Sequence, residues 1–176
     1  MKKIFPFCIV SFLFALQTPA QTRAARRRTS AGTTDSLRIA EINRTYWAEV
    51  SRSVKKGDFE GYKATCQKNA VLVATAGKNK RSEPMTAALA RWKRGFMDTK
   101  EGKQIDHVSF RFSQRIGGET TAYETGIFYF TSHDATGKLL SESYTHLEAL
   151  LVKKGRKWVC LMEYQKSAAT KAEWDA

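Results

Sequence analysis

His146 and Glu148 lie two residues apart in the stretch SYTHLEALL, Ser143 to Leu151. In a strand that spacing points both side chains to one face. A histidine beside a carboxylate is one way to build a general base. On the solvent side of a sheet the same two residues are ordinary cross-strand partners. A second carboxylate, Glu124, sits in the apolar run TAYETGIFYFTS. Facing an apolar pocket, its pKa would rise, and it would act as a base or receive an amine. Opposite Arg111, which a two-residue turn at Gly117-Gly118 would arrange, it would instead form a structural ion pair. Tyr164 and Tyr46 are candidate hydrogen-bond donors for the same chemistry, which is proton transfer without metal or cofactor. No CxxC and no paired His/Cys spacing points to zinc.

The elements that would position these groups are legible from periodicity. From Asp35 the pattern is helical, with Leu37, Ala40, Trp47 and Val50 on a stripe flanked by Ile39, Ile42 and Tyr46. Asp35 or Ser36 can cap its start. The stretch KKGD ends it, and Asp58 caps a short second helix, FEGYKATC. AVLVAT, residues 70–75, reads as a short strand. GKNKRSEP reads as a loop in which Ser82 can cap the next helix and Pro84 suits its first turn. In MTAALARWKRGF, Met85, Ala88, Leu89, Trp92 and Phe96 share a face. After Gly102 the period becomes two. HVSFRFSQRI, with Val108, Phe110, Phe112 and Ile116 on one side, begins a meander of four strands that closes with LLSESYTHLEALLV and WVCLMEYQ. Helices followed by a meander give an α+β domain with helices on one face of the sheet.

The register of the last hairpin decides which residues face those helices. A two-residue turn at Lys154-Gly155 sets Leu151 against Trp158, Ala149 against Cys160, Leu147 against Met162 and Thr145 against Tyr164. His146 then opposes Glu163 on the outer face. A one-residue slip would turn every side chain over.

The chain has 176 residues and a formal charge of +13. Six of its 30 basic residues precede Asp35, leaving 24 against 17 acidic, a net of +7. Lys2 and Lys3, the apolar run Ile4–Leu16, and Thr18 and Ala20 have the form of a secretory signal peptide, residues 1–20. An arginine-rich linker, 21–34, reads as disordered; the domain follows at 35–168, with a tail at 169–176. The expectation is therefore an exported protein, periplasmic or secreted, with no transmembrane segment after signal cleavage. No nucleic-acid recognition motif accompanies the charge. Cys66 and Cys160 can bridge in an oxidising compartment, and both also suit buried apolar positions.

GDFEGYKATCQKNAVLV, AYETGIFYF followed by DATGK, and KKGRKWVCLMEY occur in the order helix–Gly-Asp–helix–strand, Ala-x-x-x-Gly strand and Gly-x-x-Trp hairpin. In that order, from about Ser36 to Gln165, the chain resembles the nuclear transport factor 2-like superfamily, and within it the SnoaL-like (polyketide cyclase-like) bacterial members. The resemblance implies helices packed on a bent antiparallel sheet around a cone-shaped apolar pocket, often in a homodimer. It also implies that the alanine of the Ala-x-x-x-Gly strand points inward, which would carry Glu124 and Phe128 inward too. Where the family's steroid isomerases have a general-base aspartate and an oxyanion-donating tyrosine, the matching positions here are Ala74 and Val50. Neither can do that chemistry. Where relatives often place histidine on the last strand, Met162 and Tyr164 match. The expected function is binding of a small apolar or aromatic molecule, with Tyr46, Tyr62, Trp92, Phe96, Phe128, Thr145 and Met162 as wall residues. A cofactor-independent isomerase, dehydratase or cyclase using Glu124, Tyr164 or His146 is one alternative; a dimeric assembly module is the other.

Overall fold

The computed structural model describes residues 34–176. The expected signal peptide, and the expected linker except Thr34, lie outside the described residues. The first helix, α1, comprises residues 34–42, a π-helical turn at Asn43–Trp47 and Ala48–Lys56. In the π turn the Ala48 N–H reaches back to the Asn43 carbonyl. This extra residue rotates the helix, so that Tyr46 and Trp47 both face the core. The stripe before the turn follows Arg38 and Ile42, which are buried, while Leu37 is 68% exposed. The expected inward stripe of Leu37 and Ala40 is thus corrected: the uniform 3.6-residue period does not hold through the π turn.

Gly57 ends α1 at φ +62°, with its N–H on Val54 and the Asp58 N–H on Ser53, a Schellman closure. A side chain there would lie 2.4 Å from the Lys100 nitrogen and the Phe96 oxygen. Asp58 then caps α2, Phe59–Ala64, by accepting from the Gly61 N–H at 2.8 Å. Strand β1, Cys66–Ala74, turns into β2, Arg81–Pro84, and β2 runs directly into α3, Met85–Lys100. β3, Gln104–Gly117, β4, Thr121–Asp134, β5, Leu139–Lys154, and β6, Lys157–Ala168, form the meander. Helix α4, Lys171–Asp175, follows.

The sheet order is β2-β1-β6-β5-β4-β3. Every neighbouring pair is antiparallel except β1 and β6, which are parallel. Two expectations change here. Ser82 is not a helix cap but a strand residue, because β2 finds a ladder against β1 (Val73 opposite Ser82). The tail at 169–176 contains α4, whose Trp174 packs on Tyr129 and Tyr144 on the sheet face away from α1. Register shifts interrupt every strand pairing except β1–β2. Such bulges bend strands and raise their twist, which is how a sheet curls around helices.

The core lies between α1, α3 and the inner sheet face: Ile42, Tyr46, Leu72, Met85, Leu147 and Trp158 are among its buried members. Polar ties fix α1 on the sheet. The Glu41 carboxylate accepts from Lys153 at 2.7 Å and from the Trp158 indole at 3.0 Å. Arg38 donates to the Gly117 carbonyl at 2.7 Å.

Replacing Gly57 by alanine combines a left-handed backbone with a backbone clash. The Gly57→Ala variant should lose about 2 kcal/mol or more of stability, read as a lower midpoint in urea unfolding followed by circular dichroism; an unchanged midpoint would contradict the close approach of α1 and α3.

Candidate functional site

Between α1, α2, α3 and the inner face of β3–β6 lies a cavity of about 550 Å³. From α1 it takes Tyr46, Trp47 and Val50, and from the other helices Tyr62, Trp92 and Phe96. The sheet contributes Val108, Phe110, Phe128 and Phe130. The aromatic rings brace one another: Tyr62 meets Trp92 edge-on at 6.1 Å, and Trp47 meets Phe110 at 4.4 Å. Such contacts hold the walls in place. The cavity's size and apolar lining suit a small organic molecule.

Its polar groups are few. Glu163 and Gln165 enter from β6, Gln104 and Asp106 from β3, Ser132 from β4, and Ser141 and Ser143 from β5. Arg91 stands at the border, with both terminal nitrogens held by the Glu83 carboxylate at 2.6 Å.

Glu163 owes its place to a bulge. Leu151 pairs with Cys160, but Leu150 pairs with Met162, so Leu161 is an extra residue. Before the bulge Trp158 and Cys160 are buried; after it Glu163 and Gln165 line the cavity. Glu163 pairs across the strands with Leu72 and Ala149, both buried and apolar. Its one side-chain partner is the Gln165 amide, which donates at 2.8 Å. Among the described residues no cation pairs with it. Desolvation by the apolar walls pushes its pKa up, against the smaller lowering by Gln165.

Asp106 is 7% exposed. Its Oδ2 accepts from Thr99 at 3.0 Å and from Gln104 at 2.8 Å, while its Oδ1 has no partner. Gln104 also donates to the Gly95 carbonyl at 3.3 Å, so the amide that orients Asp106 is itself fixed.

Five of the residues expected in the wall line the cavity: Tyr46, Tyr62, Trp92, Phe96 and Phe128. Val50, the position matching the oxyanion-donating tyrosine, also lines it, as an apolar group. The others lie elsewhere. Thr145 is buried opposite Phe128 without lining the cavity. Met162 and Tyr164 leave the inner face because the bulge at Leu161 reverses the alternation beyond it. The Tyr164 hydroxyl instead accepts from Thr75 at 3.3 Å. His146 opposes Ser167, not Glu163, and its Nε2 lies 3.4 Å from Glu173 of α4. The hairpin turns at Gly155-Arg156, two positions from the expected register, and the bulges add the rest. Glu148 accepts from the Tyr123 hydroxyl and from Lys166 at 3.1 Å, so the His146/Glu148 stretch is built into the sheet's outer side.

Glu124 is 1% exposed and inward, but it is not in the cavity. Arg115 grips it with two hydrogen bonds, at 2.9 and 2.8 Å, and the Trp47 indole donates to the same carboxylate. Arg115, not Arg111, is its partner. A bulge at Ser113 turns Arg115 inward and leaves Ile116 53% exposed, the reverse of the expected face. Sequence reasoning missed Glu163 and Asp106 as lining residues. Asp106 lies two residues before Val108, on the face already assigned to the core, and that parity is the signal that could have found it. No sequence signal marks the bulge that admits Glu163.

Cys66 and Cys160 are cross-strand neighbours and free thiols. Burial raises both, Cys66 to about 12. Among the described residues no cluster of three or more His, Cys, Asp or Glu is placed to hold a metal ion, and no helix is long and apolar enough to cross a membrane.

No family model and no curated protein matches the chain. Solved structures do. An NTF-2 like protein of unknown function from Shewanella oneidensis is similar over 72% of this chain and 96% of its own, at 15% identity and a TM-score of 0.56. A conserved protein from Planctomyces limnophilus is similar over 77% and 96%, at 13% identity and 0.57. Aln2 from a Streptomyces species is similar over 72% and 87%, at 15% identity and 0.58. At these identities the likeness is one of fold.

Two outcomes follow from these placements. Truncation of Glu124 to alanine leaves Arg115 without its buried partner, and should cost about 3–5 kcal/mol in chemical unfolding; a variant as stable as the parent would contradict the structural role. Glu163 is raised, so the native state holds a proton that the unfolded chain releases. Its contribution is present below about pH 4.5, the ordinary value, and is lost as pH rises toward the elevated one. The Glu163→Gln variant should therefore gain stability relative to the parent as pH is raised above that point, in paired denaturant curves across the acid range. A difference independent of pH would show that the carboxyl is not desolvated.

Proposed function

On this nuclear transport factor 2-like fold, we propose that the domain binds a small, largely apolar or aromatic molecule in the cavity between helices and sheet. The observation that carries the reading is the cavity itself: about 550 Å³, walled by aromatic side chains, with a few polar groups, most of them on the strands. The N-terminal sequence, with its lysines and apolar run, adds the proposal that the domain works outside the cytoplasm.

Glu163 supports a second reading, in which the bound molecule exchanges a proton with the protein. A carboxyl whose pKa is raised by an apolar surrounding is better suited to hold and give a proton than an ordinary exposed one. Ala74 and Val50 remove the residue types used by the family's steroid isomerases, so proton transfer by that pair is excluded, and the desolvated Glu163 carboxyl is the candidate in its place.

The test is to purify the protein from its native host and compare native with denaturing mass spectrometry. A stoichiometric small molecule, released on denaturation and absent from a Val108→Trp variant that fills the cavity, is the expected result. A protein that carries nothing and takes up no naphthyl compound in a tryptophan-fluorescence titration would overturn the reading.

A further inference from the structure

A second cavity, of about 350 Å³, lies beside the first. Arg91, Trp92 and Gln165 line both, so the two share one wall. Beyond the buried Leu72, β1 and its exit line the second cavity with Ala74 and Ala76, side chains too small to fill the space. Backbone hydrogen bonds fix this end of the sheet. The Thr75 and Ala76 N–H groups both donate to the Gln165 carbonyl, at 2.8 and 3.1 Å, and Ala74 pairs with Arg81 across the β1–β2 ladder. The turn between those strands brings Lys78 and Asn79 into the lining.

The two cavities differ in charge. Asp106 and Glu163 line the first, whereas among the described residues no acid lines the second. Its cations are Lys78, Arg81 and Arg91. Arg91 is neutralised by Glu83, which takes both of its terminal nitrogens. Arg81 supplies the sharper sign. Among the described residues Arg38, Arg81 and Arg115 are the arginines that the fold buries or half-buries. Arg38 meets Asp35 and Arg115 meets Glu124. Arg81 meets no carboxylate: its contact is from Nε to the Asn79 carbonyl at 3.4 Å, and its terminal nitrogens face no acceptor among the described residues. A guanidinium presents those nitrogens as a planar fork that matches two oxygens of a carboxylate or a phosphate. Lys78 adds a second unpaired cation at the same opening, and the Asn79 and Gln165 side chains are the amides beside it.

We infer that the ligand is an amphipathic oxyanion, with its apolar or aromatic body in the first cavity and a carboxylate or phosphate in the second, received by Arg81 and Lys78. This rests on the binding reading above, and it assigns the charged end of the ligand within it. The acids of the first cavity do not oppose it. Asp106 is on β3, at the other edge of the sheet from β2. Glu163 is nearer, on β6, but burial pushes it toward its neutral form, which lessens its repulsion of an anion.

Three compounds of similar shape separate the alternatives: naphthylacetate, a carboxylate; naphthyl phosphate; and naphthylmethanol, their neutral counterpart. Their affinities for the purified protein are read by tryptophan-fluorescence titration near neutral pH at fixed salt. At least one anion should bind about tenfold or more tighter than the alcohol, and the better of the two names the group. The double variant Lys78→Gln, Arg81→Gln should abolish that advantage and leave the alcohol within about twofold of its original affinity. Arg156→Gln, which removes an exposed charge on the β5–β6 turn outside both cavities, should keep the advantage. An alcohol that binds as well as both anions overturns the inference while leaving the first cavity a binding site. A folded double variant that keeps the advantage overturns it too, as does an equal loss in Arg156→Gln, which would reduce the preference to net charge. If none of the three binds, the binding reading falls and takes this one with it. Should the double variant fail to fold, Lys78→Gln alone, on the exposed turn, decides by the same comparison.

Discussion

The Glu124 carboxylate is the constraint around which the rest is arranged. It is buried at the contact of α1 with β3 and β4, and three donors from two of those elements converge on it: two from Arg115 and one from Trp47. A buried carboxylate with a forked arginine and an indole N–H is satisfied only in one relative placement of helix and strands. That placement sets the cavity. Trp47 is at once a donor to Glu124 and a wall of the cavity, packed near Phe110. Two local irregularities make the arrangement available. The π turn brings Trp47 inward beside Tyr46, and the bulge at Ser113 brings Arg115 inward beside its partner.

The same device appears on β6 with a different result. There the extra residue delivers Glu163 and Gln165 to an apolar cavity where, among the described residues, no cation pairs with the acid. Two inward glutamates on one sheet thus have opposite surroundings. One is paired and belongs to the scaffold; the other is desolvated, hydrogen-bonded once, and available to a guest. Burial alone does not separate the two roles. The partner does.

The fold was legible in the sequence because it rests on periods that persist over whole elements. The helices and the closing meander follow from patterns of ten residues or more, the Gly57-Asp58 junction from a local stop and cap signal, and the inward face of β4 was implied only by the family resemblance. The parallel contact of β1 with β6 was not legible, since nothing local marks which strand a distant one will join. Nor was β2, four residues long, whose strand state depends on a partner. The site was half legible. Tyr46, Tyr62, Trp92, Phe96 and Phe128 needed only the right face. Glu163, Met162, Tyr164 and His146 needed the register of one hairpin, and that register shifts along its length at two bulges. A period-two argument holds only until the first extra residue, after which each assignment inverts.

Leu161 is that extra residue on β6, and it decides which side chains the cavity receives. Its deletion would straighten the strand and leave Glu163 and Gln165 inward, whereas taking it into the ladder as an ordinary strand residue would bring the neighbouring thioether and phenol, Met162 and Tyr164, to the cavity instead. The acidity of the cavity thus hangs on the bend of one strand as well as on the identity of the residues in it.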